Sequence, residues 1–177
     1  MKGITIIEVM IVIYTISLWV YMKKNKYRDV TRKFIILFVG VLLFEIMSEP
    51  MWLNEGFDSW AYIYKDITWV ITLGWVSIFM TSILIVDHAF RHLPEKSRFW
   101  LYLLFIEAIT VPIEAGLVES GVRKYAPVLT ATMSGLFIPY TSVPLEAVYA
   151  IPLFTSLILT FYKYINHLFD TTKNATR

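Results

Sequence analysis

Residues 34–53 read FIILFVGVLLFEIMSEPMWL. Twenty residues at 1.5 Å rise each make a helix of about 30 Å, the thickness of a bilayer's hydrocarbon core. The only ionisable side chains in that run are Glu45 and Glu49. It therefore reads as a membrane-crossing helix with two carboxylates one turn apart. Four further stretches have the same character, at about 3–22, 66–87, 99–118 and 144–166. The chain has 177 residues, 57% of them hydrophobic and 17% charged, which is more apolar surface than a soluble domain of that length can hide. The expected fold is all-α: a polytopic transmembrane helix bundle of about five spans forming a single integral membrane domain over residues 1–177.

Segment 126–142 is apolar too, but Pro127, Gly135 and Pro139 interrupt it, and the run between the prolines is too short to cross the core as a helix. It is expected to be a re-entrant or surface segment. If it crossed, the number of spans would rise to six. Basic residues favour five: the 23–33 loop holds six, the 88–98 loop three and the tail three, against Lys2, Lys65, Arg123 and Lys124 at the other end. Positive loops stay cytoplasmic, so the amino terminus is expected outside and the carboxyl terminus in the cytoplasm, with the cell membrane as location. The first apolar stretch ends in Trp19-Val20-Tyr21-Met22 without a small-residue cleavage site, so it reads as a retained helix.

A net charge of +2, with the basic residues in short loops, gives no footprint for nucleic acid. Cysteine is absent, which removes thiolate nucleophiles and Cys-ligated metals. The GxGxxG fingerprint, the P-loop and the GxSxG elbow are also missing, and with them the sequence support for dinucleotide binding, nucleotide hydrolysis and serine-hydrolase chemistry. Asp87-His88 with Arg91 and His92 has the residue types of a metal or proton site. It lacks an HExxH pattern and falls where a basic loop begins, so no metal is assigned.

Carboxylates remain. Nine of the fourteen acidic residues sit in or at the edge of the apolar stretches: Glu8, Glu45, Glu49, Asp66, Asp87, Glu107, Glu114, Glu119 and Glu146. Each costs roughly 2.5–3.5 kcal/mol at mid-bilayer, so such groups face a bundle interior and mark proton, ion or substrate chemistry. Glu45 and Glu49, spaced i, i+4, share one helix face and would share a proton in a low dielectric. Glu107 and Glu114, spaced i, i+7, form an inner stripe across Pro112, which frees the Ala108 carbonyl. Glu146 follows Pro144 at the start of the last span, where a cap role competes with a site role. Lys163, at the end of the last stretch, is counted with the tail, and no other Lys or Arg lies within the spans to pair with these acids. Thr110-Val111-Pro112-Ile113-Glu114-Ala115 and Ser142-Val143-Pro144-Leu145-Glu146-Ala147 look like a short repeat, consistent with duplicated hairpins or with chance. Six Trp, eleven Tyr and twelve Phe supply interface belts, and around protonated carboxyls such rings could also stabilise a substrate cation.

Ile138-Pro139 and Val143-Pro144-Leu145-Glu146-Ala147-Val148-Tyr149, followed by an apolar helix, resemble the Pro-x-Glu-Glu stretch of the lycopene cyclase domain. Gly121, Tyr125, Ser134-Gly135 and Pro144-Leu145-Glu146 are similar to features of the spirocyclases of polyketide pathways. The likeness covers about 40 residues, and Ala147 stands where the cyclase domain has its second glutamate, so Glu114 or Glu49 would have to be the partner. The resemblance implies cofactor-independent protonation of an alkene, or acid-assisted ring closure, in isoprenoid or carotenoid biosynthesis.

The combined expectation is a carboxylate acid/base enzyme, a cyclase, isomerase or hydratase, acting without cofactor on an isoprenoid or similar lipid. Glu146 and Glu114 are expected as acid and base, Glu45 and Glu49 as auxiliaries, and Trp52, Trp75, Tyr149 and Glu107 as substrate contacts. Membrane lipids are the surrounding partners, and a homo- or hetero-oligomer is left open. The competing expectations are a small proton- or cation-coupled transporter and a non-catalytic membrane subunit.

Overall fold

The computed structural model describes residues 3–175, with side chains from Ile4 to Thr172. Of the basic residues used for orientation, Lys2 and Arg177 lie outside the described residues, as does the side chain of Lys173. Five long helices dominate: α1 (Gly3–Lys24), α2 (Val30–Ser48), α3 (Trp69–Ala89), α4 (Glu95–Glu119) and α6 (Ala147–Ala175), with a one-turn α5 (Pro127–Thr130) between the last two. All five are long and apolar enough to cross a membrane. Each runs past its apolar stretch at the basic end, by two residues in α1 and α3 and by a polar turn or more at 30–33, 95–98 and 167–175, while α2 stops at Ser48, α3 starts at Trp69 and α6 at Ala147, short of the stretches read from the sequence. The hydrocarbon limit fixes where a run must be apolar and not where its helix stops.

α3 is the centre of the bundle, packed against α1, α2 and α4, while α6 closes the far side between α2 and α4. Phe79, Met80 and Val76 of α3 meet Leu37, Ile106 and Leu159 in the main core, all of them fully buried. Buried hydroxyls tie α1 to α3: Thr15 and Ser77 share a hydrogen bond of 2.7 Å. Small polar pairs of this kind bond helices without a charge cost. Gly40 lets α2 approach α6, since a Cβ there would lie 2.9 Å from the Phe161 ring.

The connections sort into two ends. Segments 25–29 and 90–94 lie at the basic end, and segments 49–68 and 120–146 form a cap at the other. Two-residue strands knit the cap. β1 (Trp52–Leu53) pairs antiparallel with β4 (Lys124–Tyr125), Trp52 opposite Tyr125, and β2 (Tyr62–Tyr64) pairs with β3 (Ile67–Thr68). The Thr68 side chain then accepts from the Ile71 amide at 3.2 Å and caps α3. Segment 126–142 lies on the outside of the cap: Val128, Leu136, Phe137 and Tyr140 are exposed, and its backbone bonds are internal or run to Met51, Val143 and Leu145. It holds one helical turn and no helix of bilayer length.

The apparent repeat does not correspond to a duplicated hairpin. Thr110–Ala115 is helical within α4, continuous through Pro112, whereas residues 142–146 are irregular and α6 starts only at Ala147.

Candidate functional site

A small cavity of about 40 Å³ lies under the cap. Glu45 and Glu49 reach it from the end of α2, Trp52 from β1, Trp75 from α3, Glu114 from α4 and Thr155 from α6, with Asn54, Asp66 and Arg123 supplied by the cap. It has room for roughly three waters, so a lipid-sized molecule cannot sit in it whole. Below it the main core is closed by Leu37, Val76, Phe79 and Leu159. A polar cleft at the basic end, containing Asp87, Arg98 and Lys163, shares no lining residue with it. The cavity is therefore one-ended.

Its electrostatic centre is a pair that the sequence did not reveal. Arg123 Nη1 lies 3.4 Å from Glu114 Oε2, and their side chains are only 8% and 5% exposed. Local folding explains the meeting. α4 ends at Glu119, Gly121 takes a left-handed conformation (φ 72°), and the chain turns back so that the Arg123 amide donates to the Leu117 carbonyl. That reversal carries Arg123 down to Glu114. The guanidinium also lies over the Trp52 ring, 4.0 Å from its centroid, and Trp52 packs on Tyr125 with centroids 4.9 Å apart. The Tyr125 hydroxyl donates to Glu114 Oε1 at 3.2 Å. Burial, and then the Glu114 carboxylate, push the Tyr125 phenol well above its ordinary range, so it remains a donor. The cation that meets these acids comes from outside the apolar stretches, from a loop residue that folds inward.

Glu45 has a different partner, since Thr72 Oγ1 bonds its Oε2. The same hydroxyl lies 3.1 Å from the Thr68 carbonyl oxygen. Glu49 pairs instead with Lys65, Nζ to Oε1 at 3.5 Å, and that carboxylate is the main reason the Lys65 ammonium is held above its ordinary value. Glu45 and Glu49 thus face one cavity with separate partners. Glu107 accepts from Thr155 at 2.9 Å, one side chain away from the cavity.

Two expected site residues are placed elsewhere. Tyr149 is 74% exposed and faces outward. Glu146 does not line the cavity; it accepts from the Ser134 amide at 2.6 Å, and this bond holds its pKa below the ordinary carboxylate value. Three other acids do the same work of holding cap backbone. Glu8 accepts from the Asp58 amide at 2.7 Å, Asp66 from the Asn54 amide at 2.8 Å, and Glu119 from the Ser142 amide at 2.6 Å. Loops this irregular leave amides without ladder partners, and buried amides need acceptors. Asp87, considered with His88 as a proton or metal site, accepts from Arg98 at 2.6 Å and from the Tyr102 hydroxyl at 2.5 Å.

Fold and site together define a class: an all-helical bundle of five bilayer-length helices with a buried carboxylate–guanidinium cavity beneath a knitted cap. The chain matches no protein-family model, no curated protein and no solved structure.

Proposed function

We propose that the chain is an integral membrane enzyme that performs carboxylate acid/base chemistry of the cyclase, isomerase or hydratase type on an isoprenoid or similar apolar lipid. The observation that carries this reading is that Glu45 and Glu114 line one cavity with opposite kinds of partner, a hydroxyl for Glu45 and a guanidinium for Glu114. Two carboxyls in environments that favour different protonation states make an acid and a base. The Thr72 hydroxyl has one hydrogen, and its oxygen touches both Glu45 and the Thr68 carbonyl. Both contacts are hydrogen bonds if the Glu45 carboxyl carries its own proton. Glu114, set on Arg123, is the anion.

In the proposed step the Glu45 O–H bond breaks as a C–H bond forms on a substrate alkene, leaving a carbocation beside the π-face of Trp75. The cation rearranges or closes a ring, and a neighbouring C–H gives its proton to Glu114 while the electron pair becomes the new double bond. Net, the proton count is unchanged: Glu114 gives its proton to cavity water, and Glu45 is reprotonated from that water, which exchanges with solvent between turnovers. A transporter would need a path to both faces, and the closed apolar core below the cavity disfavours it. A non-catalytic subunit would draw the cation for these acids from a partner, and Arg123 supplies one within the chain.

The test is to express the parent, Glu45→Gln, Glu114→Gln and Glu146→Gln forms in cells that make isoprenoid precursors, then extract and weigh the lipids by mass spectrometry. Loss of an acid or base costs about 10²–10⁴ in rate. A product made by the parent and by Glu146→Gln, and lost in the first two variants, supports the reading. A product unaffected by Glu45→Gln or Glu114→Gln contradicts it.

A further inference from the structure

A second space meets the carboxylate cavity from the side. It is an apolar groove of about 90 Å³ between α1 and α4 over α3, walled by Ile7 and Ile11 of α1 and by Ile113 and Leu117 of α4, with Gly74 of α3 in its floor. Ile7 and Ile113 are exposed on the outside of the bundle. Trp75, Glu114 and Arg123 line both this groove and the cavity.

Two polar atoms in this apolar setting have no hydrogen-bonding partner among the described residues: Thr110 Oγ1, on a residue 3% exposed, and Arg123 Nε, on a residue 6% exposed. Thr110 lines the groove itself. An unmade buried hydrogen bond is costly, and both residues line the groove. A pure hydrocarbon would leave both unsatisfied, whereas a chain ending in an oxygen satisfies them.

We infer that the α1–α4 groove is the side entrance of the active cavity and takes a single prenyl or alkyl chain whose terminal hydroxyl or carbonyl oxygen bonds to Thr110 and Arg123. The inference rests on the acid/base reading of the cavity, and it names the substrate as an oxygen-bearing single chain that arrives from the bilayer. It also removes the size conflict, because only the reacting end must enter the 40 Å³ space beside Glu114.

Binding tests this independently of turnover. The purified protein in phosphatidylcholine nanodiscs is photolabelled with a diazirine-bearing farnesol, and the labelled peptides are mapped. Labelling should concentrate on residues 7–11 and 110–117, saturate with concentration, and fall with excess farnesol but not with farnesene, which lacks the oxygen. Gly74→Ile fills the floor and should abolish the saturable label. Thr110→Val keeps the shape and loses one hydrogen bond, so it should weaken labelling about three- to tenfold. Ile46→Trp, on the exposed face of α2, should leave it unchanged. A phosphatidylcholine carrying the same diazirine on its acyl chain should label the exposed helix faces evenly, as bulk lipid. Even labelling by the farnesol probe overturns the inference, as does equal competition by farnesene or a saturable label that survives both Gly74→Ile and Thr110→Val. Saturable labelling of the groove by the phosphatidylcholine probe overturns it in favour of a resident membrane lipid. Site-specific farnesol labelling without turnover leaves the groove standing and defeats the acid/base reading instead.

Discussion

Arg123 is a cation held almost entirely out of solvent by one carboxylate and one indole. Removing one partner of a buried pair strands the other, at about 3–5 kcal/mol. Arg123→Met should therefore lower unfolding stability in detergent by about that much, and Arg123→Met with Glu114→Leu should recover most of the loss. A double variant no better than Arg123→Met alone would show that the pair contributes nothing to the fold. Glu146 gives a second prediction. Its folded value lies below the ordinary 4.5, so its bond to the Ser134 amide is fully present above that pH. It is lost only as pH falls through the lower folded value. The Ser134 amide proton resonance should shift with a midpoint below 4.5, and the transition should vanish in Glu146→Gln. A midpoint above 4.5 would remove the anchoring role. At this scale the sequence was half legible. Glu45 and Glu114 stand out because a carboxylate inside an apolar run is visible as such. Arg123 reads as an ordinary loop cation, since its burial depends on the Gly121 reversal and on Trp52 seventy positions earlier. Glu146 stands out beside Pro144 near a helix start, while the partner it has, the Ser134 backbone amide, is one that no side-chain pattern announces.

The helices were legible as elements because each carries a long, nearly unbroken apolar run, and the cap was not. β1 and β4 are two residues each, too short to show alternation. What joins the two cap segments is a contact between backbones: a Cβ on Gly56 would lie 2.6 Å from Val122 Cα. The Gly56 amide also donates to the Val122 carbonyl at 3.2 Å. Gly56→Ala should force the strands apart, cost about 1–3 kcal/mol, and lower activity by displacing Arg123, the next residue along. Chemical unfolding and the lipid assay check both halves. Unchanged stability would mean that the cap can shift freely and does not position the site.

At the scale of the whole molecule, both basic loops fall at one end of the bundle and the cap at the other, which is the arrangement that the charge asymmetry requires. Single cysteines at Leu93 and Asp58 should be labelled by an impermeant reagent from the cytoplasmic and outer sides of the cell, respectively. Labelling of both from one side would break the proposed topology, and labelling of each from the opposite side would reverse it. The one-ended cavity is the feature that separates proton chemistry on a lipid from proton movement across a membrane, and isotope transfer reads that difference directly. Cells producing isoprenoid precursors are grown in D₂O-containing medium after unlabelled precursor has accumulated, and the product is compared for the parent and Glu45→Gln. The account predicts one non-exchangeable deuterium added to carbon per product molecule formed by the parent, and loss of that product in Glu45→Gln. A product without solvent-derived deuterium, or no lipid product alongside a Glu45-dependent proton flux in reconstituted vesicles, would contradict it.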